Sequence, residues 1–171
     1  KKKLLTNIYN SASTECFGLN KKICNEKTNF NPLSPYARSK AFSFWLVKYY
    51  RENFGVRSCS GILSNHESIL RKNSFIIKKI SKYVQYFNGK KKLKIGGIAI
   101  SRDWGWAQDY VEAIYKINSS YNPDDYVVAT GKNTLLTTVI KKFFKKKNIS
   151  LKFLEHNNKK FLRSSEAKCI N

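Results

Sequence analysis

One helix with clearly marked ends limits the folds open to this chain. Ser34 offers a side-chain cap to the first free amides, and Pro35 follows it in the first turn, where a missing N–H costs nothing. Gly55 closes the segment, because a residue without Cβ takes the left-handed conformation that ends helices. Between them lies an aromatic-rich apolar run with Phe42, Phe44, Trp45, Leu46, Val47, Tyr49 and Tyr50. Residues 4–13 before it read as a weak strand, and residues 56–63 after it alternate as a second strand. Strand, helix, strand in that order implies a parallel pair joined by a crossover, and hence an α/β fold. The polar, turn-rich residues 25–35 read as a loop that delivers the chain to the helix cap.

The rest of the chain continues the alternation. Ile76, Ile80, Val84 and Phe87 make a helical stripe within residues 74–88, with Lys78, Lys79 and Lys82 toward water. Residues 93–100 predict a short strand broken by Gly96-Gly97, and a helix is expected from near Ala107 through Tyr110 to Ile117. Residues 125–129 predict a strand closed by Gly131. Thr134 is then expected to cap a helix carrying Leu135, Leu136, Val139, Ile140, Phe143 and Phe144 and ending at Lys145, Lys146 and Lys147. A last strand is expected over residues 150–154. No internal repeat or low-complexity linker is present.

Composition bounds the partners. Among 171 residues, 33 Lys plus Arg face 11 Asp plus Glu, a net charge of +22 that suits an anionic partner. The basic residues are scattered among many Asn and Ile, so a general residue bias explains them equally well, and a dedicated nucleic-acid surface is not expected. Cys16, Cys24, Cys59 and Cys169 form no Cys-x-x-Cys pair, and His66 and His156 are far apart, so no metal site is expected. Reduced thiols, no apolar run of bilayer length and no charged-then-apolar leader lead to the expectation of a soluble, cytoplasmic protein. Methionine is absent, the first position included, which suggests a fragment of a longer reading frame.

Three stretches carry chemistry. On the capped helix, Tyr36 and Lys40 are four residues apart, so a phenol and an ammonium share one face, one turn apart. Free tyrosine titrates near ~10, and a neighbouring cation favours the phenolate, the form able to take a proton from a hydroxyl. Alone, this spacing is equally that of an ordinary core helix with a solvated lysine. Ser13 and Glu15 stand at the C-terminal end of the preceding strand, where α/β folds place their ligands. The second strand runs into Asn65-His66-Glu67-Ser68, and further on comes Ser101-Arg102-Asp103-Trp104-Gly105-Trp106-Ala107-Gln108-Asp109-Tyr110-Val111.

Taken together, these motifs resemble the extended short-chain dehydrogenases/reductases and, within them, the GDP-mannose 4,6-dehydratase family. The resemblance spans nearly the whole chain, and its most specific parts are the Asn65-to-Ser68 and Arg102-to-Val111 motifs. It implies a partial Rossmann-like parallel sheet with a smaller C-terminal α/β substrate-binding lobe. Residues 1–65 would be the C-terminal part of an NADP-binding domain carrying the catalytic residues. Residues 66–171 would be mainly the substrate lobe, with segments returning to the sheet. The implied reaction is NADP-mediated oxidation of the mannose 4-hydroxyl, elimination of water across C5 and C6, and hydride return to C6, giving GDP-4-keto-6-deoxymannose.

The resemblance also implies roles for individual residues. Tyr36 would be the base at the 4-hydroxyl, Lys40 would favour its phenolate and bind the cofactor ribose, and Ser13 would bind the same sugar oxygen. Glu15 would remove the C5 proton and help protonate the departing 6-hydroxyl. His66 and Arg71 would contact NADP. Asn65 would contact the sugar nucleotide, Arg102 would lie near the diphosphate, and Arg163 and Glu166 near the nucleotide. The complete protein would be a homo-oligomer, a dimer or tetramer.

The chain departs from the family pattern in three places. Ile69-Leu70 stands where the family usually has Pro-Arg, and Trp106 where it commonly has His. The glycine-rich turn that holds a dinucleotide pyrophosphate should precede everything present here, so the isolated chain is expected to bind NADP weakly and to be inactive. Two alternatives remain: another nucleotide-sugar dehydratase or 4-epimerase of the same superfamily, and a catalytically inactive basic binding protein. Glu15 counts against a simple epimerase, which needs no C5 base.

Overall fold

The computed structural model describes residues 7–20, 23–88, 93, 95–154 and 163–169, with backbone only for 152–154 and 163–169. Its elements run β1 (Ile8–Ser13), a 3-10 turn (Thr14–Phe17), α1 (Pro35–Phe54), β2 (Ser58–Leu63), β3 (Asn65–Glu67), α2 (Ile76–Gln85), β4 (Ser101–Trp106), α3 (Ala107–Asn118), β5 (Asp125–Val128), β6 (Asn133–Leu135), α4 (Leu136–Lys146), β7 (Ile149–Leu154) and β8 (Arg163–Cys169). They fall into two compact units. The first holds the residues up to His66 and Trp104–Gly131, the second Glu67–Asp103 and the residues from Lys132 onward.

The first unit is built on the parallel sheet β1-β2-β5. β1, α1 and β2 form the expected crossover, with Ile8 opposite Ser58 and Ser13 opposite Leu63. Every residue of β2 is buried, so both of its faces are covered, as in sheets that carry helices. Ala12 and Ile62 pack with Phe17 and Phe44, and Phe30 and Val127 complete the cluster. Phe30 meets Phe17 and Phe44 edge-on, with ring centroids 5.4 and 4.8 Å apart, a favoured aromatic geometry.

Both ends of α1 are as the sequence predicts. Ser34 Oγ accepts the amide of Ala37 at 3.0 Å, and Gly55, at φ 64°, donates its amide to the Tyr50 carbonyl. At the far end of the helix, the Arg51 guanidinium forks onto Asp125 at the start of β5, at 3.0 and 2.5 Å, and also donates to the Ser58 carbonyl. Asp125 in turn accepts the Ser60 amide at 2.9 Å. Helix and two strands are thus tied through one mostly buried ion pair, whose side chains are 13% and 7% exposed. Glu26 reaches from the loop before α1 to accept the Val127 amide, covering part of the β5 edge.

In the second unit α2 and α4 pack together. They bury Ile80, Val84, Leu136, Ile140 and Phe144, with the Tyr83 and Phe144 rings 6.1 Å apart. β6 lies antiparallel to the start of β4, and β7 antiparallel to β8. No helix among the described residues is long and apolar enough to cross a membrane.

Three expectations for this half of the chain are corrected. Residues 95–100 form no strand: Leu93 makes an isolated bridge, and Leu93 and Ile98 bury their side chains on either side of the Gly96-Gly97 break. Thr134 does not cap α4 but lies in β6 opposite Arg102. The helix starts at Leu136, whose amide is satisfied by the Ile100 carbonyl at 2.9 Å, so no side-chain cap is needed there. Residues 150–154 are not the last strand, since β8 follows and pairs with it.

Candidate active site

The end of β1 and the first turns of α1 meet because short, local features turn the chain between them. Ser13 is the last residue of β1 and caps the 3-10 turn, its Oγ accepting the Glu15 amide at 3.2 Å. This puts the Glu15 side chain, which is exposed, one turn beyond the strand end. Gly18 ends the turn at φ 67°, where a Cβ would also collide with the Asn31 carbonyl, so glycine is required twice over. The buried Cys16 thiol donates to the Ala37 carbonyl at 3.7 Å, fastening the Glu15 turn to the first turn of α1. Its burial pushes the thiol pKa up, which keeps it protonated and a donor.

Lys40 closes the arrangement from the helix side. Its Nζ donates to the Ser11 carbonyl at 2.8 Å and lies 5.8 Å from the centroid of the Tyr36 ring. Tyr36 is 54% exposed, so its phenol is available to a ligand. An ammonium has three N–H donors and one goes to Ser11, leaving donor capacity beside Tyr36 for ligand hydroxyls. Ser13, Glu15, Tyr36 and Lys40 are thus gathered at the C-terminal end of one parallel strand, with one buried hydroxyl, one exposed carboxyl, one exposed phenol and one anchored ammonium.

A second cluster in the same unit follows β2. Ser64 continues the sheet by donating its amide to the Val128 carbonyl at 2.9 Å, and its hydroxyl is hydrogen-bonded to the Tyr110 hydroxyl. Two residues on, His66 Nδ1 lies 2.9 Å from the Ser64 carbonyl, and its ring stacks on Tyr110 with centroids 4.7 Å apart. Asn65, between them, is half-buried. Sequence reading picked out Asn65 and His66 but not Ser64 or Tyr110. Tyr110 lay within a motif already noted, but only as part of the helix expected to run on to Ile117.

The remaining candidates lie in the second unit. Arg71 pairs with Glu67 at 3.4 Å and lays its guanidinium over the Phe75 ring at 3.6 Å. Arg102 is exposed on β4, opposite Thr134, and donates to the Ser101 carbonyl at 3.0 Å. On β8, Arg163 stands opposite Leu154 and Glu166 opposite Lys152 in the backbone register. Among the described residues no group of His, Cys, Asp and Glu is arranged to hold a metal ion.

Comparison with known proteins gives this geometry a family. Residues 1–170 match the family model described as GDP-mannose 4,6 dehydratase. A GDP-mannose 4,6-dehydratase of Sinorhizobium fredii (strain HH103) is 35% identical over 169 residues, covering 96% of this chain and 48% of the relative. GDP-mannose 4,6 dehydratase 1 of Arabidopsis thaliana is 44% identical over 124 residues, 71% of this chain and 34% of the relative. The chain therefore spans about half the length, or less, of these relatives. Its fold is shared with dTDP-glucose 4,6-dehydratase from Bacillus anthracis str. Ames in complex with NAD, at TM-score 0.74 and 20% identity over 81% of this chain and 45% of that one. RMD from Pseudomonas aeruginosa complexed with NADPH is similar at TM-score 0.72 and 23% identity, over 81% and 50%. These neighbours have Rossmann folds of the extended dehydrogenase/reductase type, and the parallel sheet of the first unit is part of the same architecture. With the family model covering all but the last residue, the chain belongs to the GDP-mannose 4,6-dehydratase family.

Proposed function

We propose that the protein containing this chain is an NADP-dependent GDP-mannose 4,6-dehydratase and that residues 1–171 carry its catalytic groups. The observation that supports this most is the meeting of Ser13 and Glu15 with Tyr36 and Lys40, fastened by the Lys40 to Ser11 and Cys16 to Ala37 hydrogen bonds. Tyr36, as phenolate, takes the proton of the mannose 4-hydroxyl while Ser13 holds the same oxygen. Lys40 stabilises the phenolate and donates to the cofactor ribose. NADP, when bound, supplies reversible hydride acceptance. Once C4 is a ketone the C5 proton is acidic, and Glu15 removes it and returns it to the departing 6-hydroxyl as water leaves. One carboxylate suffices for both transfers, because the proton it takes from C5 is the one it gives to the 6-hydroxyl, which restores the carboxylate.

The other assignments follow the family pattern. His66 and Arg71 contact NADP, Asn65 the sugar nucleotide, and Arg102, Arg163 and Glu166 the diphosphate and nucleotide. The first unit serves mainly the cofactor and the chemistry, the second mainly the substrate. The protein works in the cytoplasm as a homo-oligomer. Supporting an oligomer, α1 leaves Phe42, Trp45, Tyr49 and Phe54 exposed, more aromatic surface than a solvated helix needs. The test is conversion of GDP-mannose by the complete protein with NADP. GDP-4-keto-6-deoxymannose as product, formed in preference to products from UDP-glucose or dTDP-glucose, is the expected result. Equal rates on all three would remove the substrate assignment.

A further inference from the structure

We propose that Tyr110 and Ser64 are positioning residues that hold neutral His66 as its Nδ1–H tautomer. Nε2 is then presented as a hydrogen-bond acceptor, and what it takes from a ligand is a hydroxyl or amide N–H, not a phosphate oxygen. The inference deepens the function proposed above and rests on it for the nature of the ligand.

The tautomer follows from the partner. The Ser64 carbonyl can only accept, so at 2.9 Å the proton must sit on Nδ1, and in the neutral ring the other nitrogen keeps its lone pair. Among the described residues Nε2 has no hydrogen-bond partner, and His66 is only half-buried. The ring plane is fixed from the other side by the Tyr110 stack, at 29° between planes. Tyr110 itself cannot swing away. It is 3% exposed, its hydroxyl is held by Ser64 Oγ, and its ring edge lies so close to Gly105 that a Cβ there would collide with it. Ser64 is placed by its amide bond to Val128, so the line from the β2–β5 pairing to the imidazole is continuous. The ionised diphosphate oxygens of a dinucleotide or sugar nucleotide carry no proton to offer a lone pair. A ribose or sugar hydroxyl, or a carboxamide N–H, does.

Long-range proton–nitrogen correlation spectra of the nitrogen-15-labelled complete protein report imidazole tautomers, and His66→Gln assigns the His66 signals. At about pH 8, where an ordinary imidazole is neutral, His66 is expected to show a protonated Nδ1 and an unprotonated Nε2. Tyr110→Phe keeps the ring and should keep this pattern, while a folded Tyr110→Leu should relax toward a mixture of tautomers. An Nε2–H tautomer in the unmodified protein overturns the proposal, and so does an unchanged pattern in folded Tyr110→Leu. The spectrum of the unmodified protein stands as a test even if Tyr110→Leu does not fold. Added to the complete protein, NADP or GDP-mannose should move the Nε2 resonance, and which of them does so identifies the donor. Sulfate, a tetrahedral anion without a proton, should not, and a response to sulfate alone overturns the acceptor assignment. The apparent affinity for that ligand should fall about 5–10-fold in Tyr110→Leu, the scale of one hydrogen bond, and recover in Tyr110→Phe. Failure to convert GDP-mannose with the tautomer pattern intact would instead count against the proposed reaction.

Discussion

The two ends of α1 are held in opposite ways. At its C-terminal end Arg51 and Asp125 form a bidentate, mostly buried pair that also satisfies the Ser58 carbonyl and the Ser60 amide, closing helix and sheet together. At its N-terminal end the contacts run from side chains to backbone groups. Lys40 rests on a backbone carbonyl, Glu15 and Tyr36 are exposed, and the segments are joined by neutral bonds through Ser34, Ser13 and Cys16. A mostly buried ion pair holds the end remote from the proposed chemistry, and side-chain to backbone bonds hold the end where it would occur. Stability and activity should therefore separate between variants of the same helix.

The largest effect should come from breaking the buried end. Asp125→Ala leaves the Arg51 charge without its partner, and losses of this kind are about 3–5 kcal/mol, enough to unfold much of a marginal domain in chemical denaturation. Substitution at the other end should do the reverse. Tyr36→Phe and Lys40→Ala are expected to melt near the unmodified protein yet lose about 10²–10⁴-fold in turnover of the complete enzyme. Parallel loss of melting temperature and activity in both sets would erase the distinction. Between these lies Gly18→Ala, which forces a side chain onto a φ of 67° and against the Asn31 carbonyl. It should cost at least ~1–2 kcal/mol and weaken activity by displacing Glu15.

The smallest effect concerns pH. Burial, reinforced by Cys59, pushes the Tyr9 phenol up from 10.0 to about 12. The folded state therefore keeps a proton that the unfolded state has already lost in this window. The contribution is complete below about pH 10 and disappears as pH rises through about 12. Tyr9 is only half-buried, so Tyr9→Phe should flatten the alkaline fall in stability modestly, as read from denaturation midpoints on either side of pH 10. An identical alkaline profile in Tyr9→Phe would show that the phenol is solvated in the folded protein.

What could be read from the sequence divides along similar lines. The β1-α1-β2 crossover was legible because its signals are local: a Ser-Pro cap, a glycine stop and flanking extended segments. The grouping of Ser13, Glu15, Tyr36 and Lys40 followed from it, since a parallel crossover returns the helix start to the strand end. β4 and β6 were not legible, because Ser101 to Trp106 and Asn133 to Leu135 lack alternation and become strands through pairing partners distant in sequence. The start of α4 was misplaced for the same reason: its first amide finds the Ile100 carbonyl, which no side-chain pattern announces. Tyr110 shows the limit most clearly, since its place in a helical run announces neither its burial nor the His66 ring stacked on it.

The claim that the end of β1 and the start of α1 form one catalytic site is tested most directly by Glu15→Gln in the complete enzyme, followed in a single turnover with GDP-mannose and NADP. Oxidation at C4 depends on Tyr36 and Lys40, which are untouched, so nicotinamide absorbance should rise and persist while a bound 4-keto sugar accumulates. Tyr36→Phe under the same conditions should show no such rise. Elimination of water and exchange of the C5 proton at the unmodified rate in Glu15→Gln would contradict the account, making Glu15 structural and placing the base elsewhere.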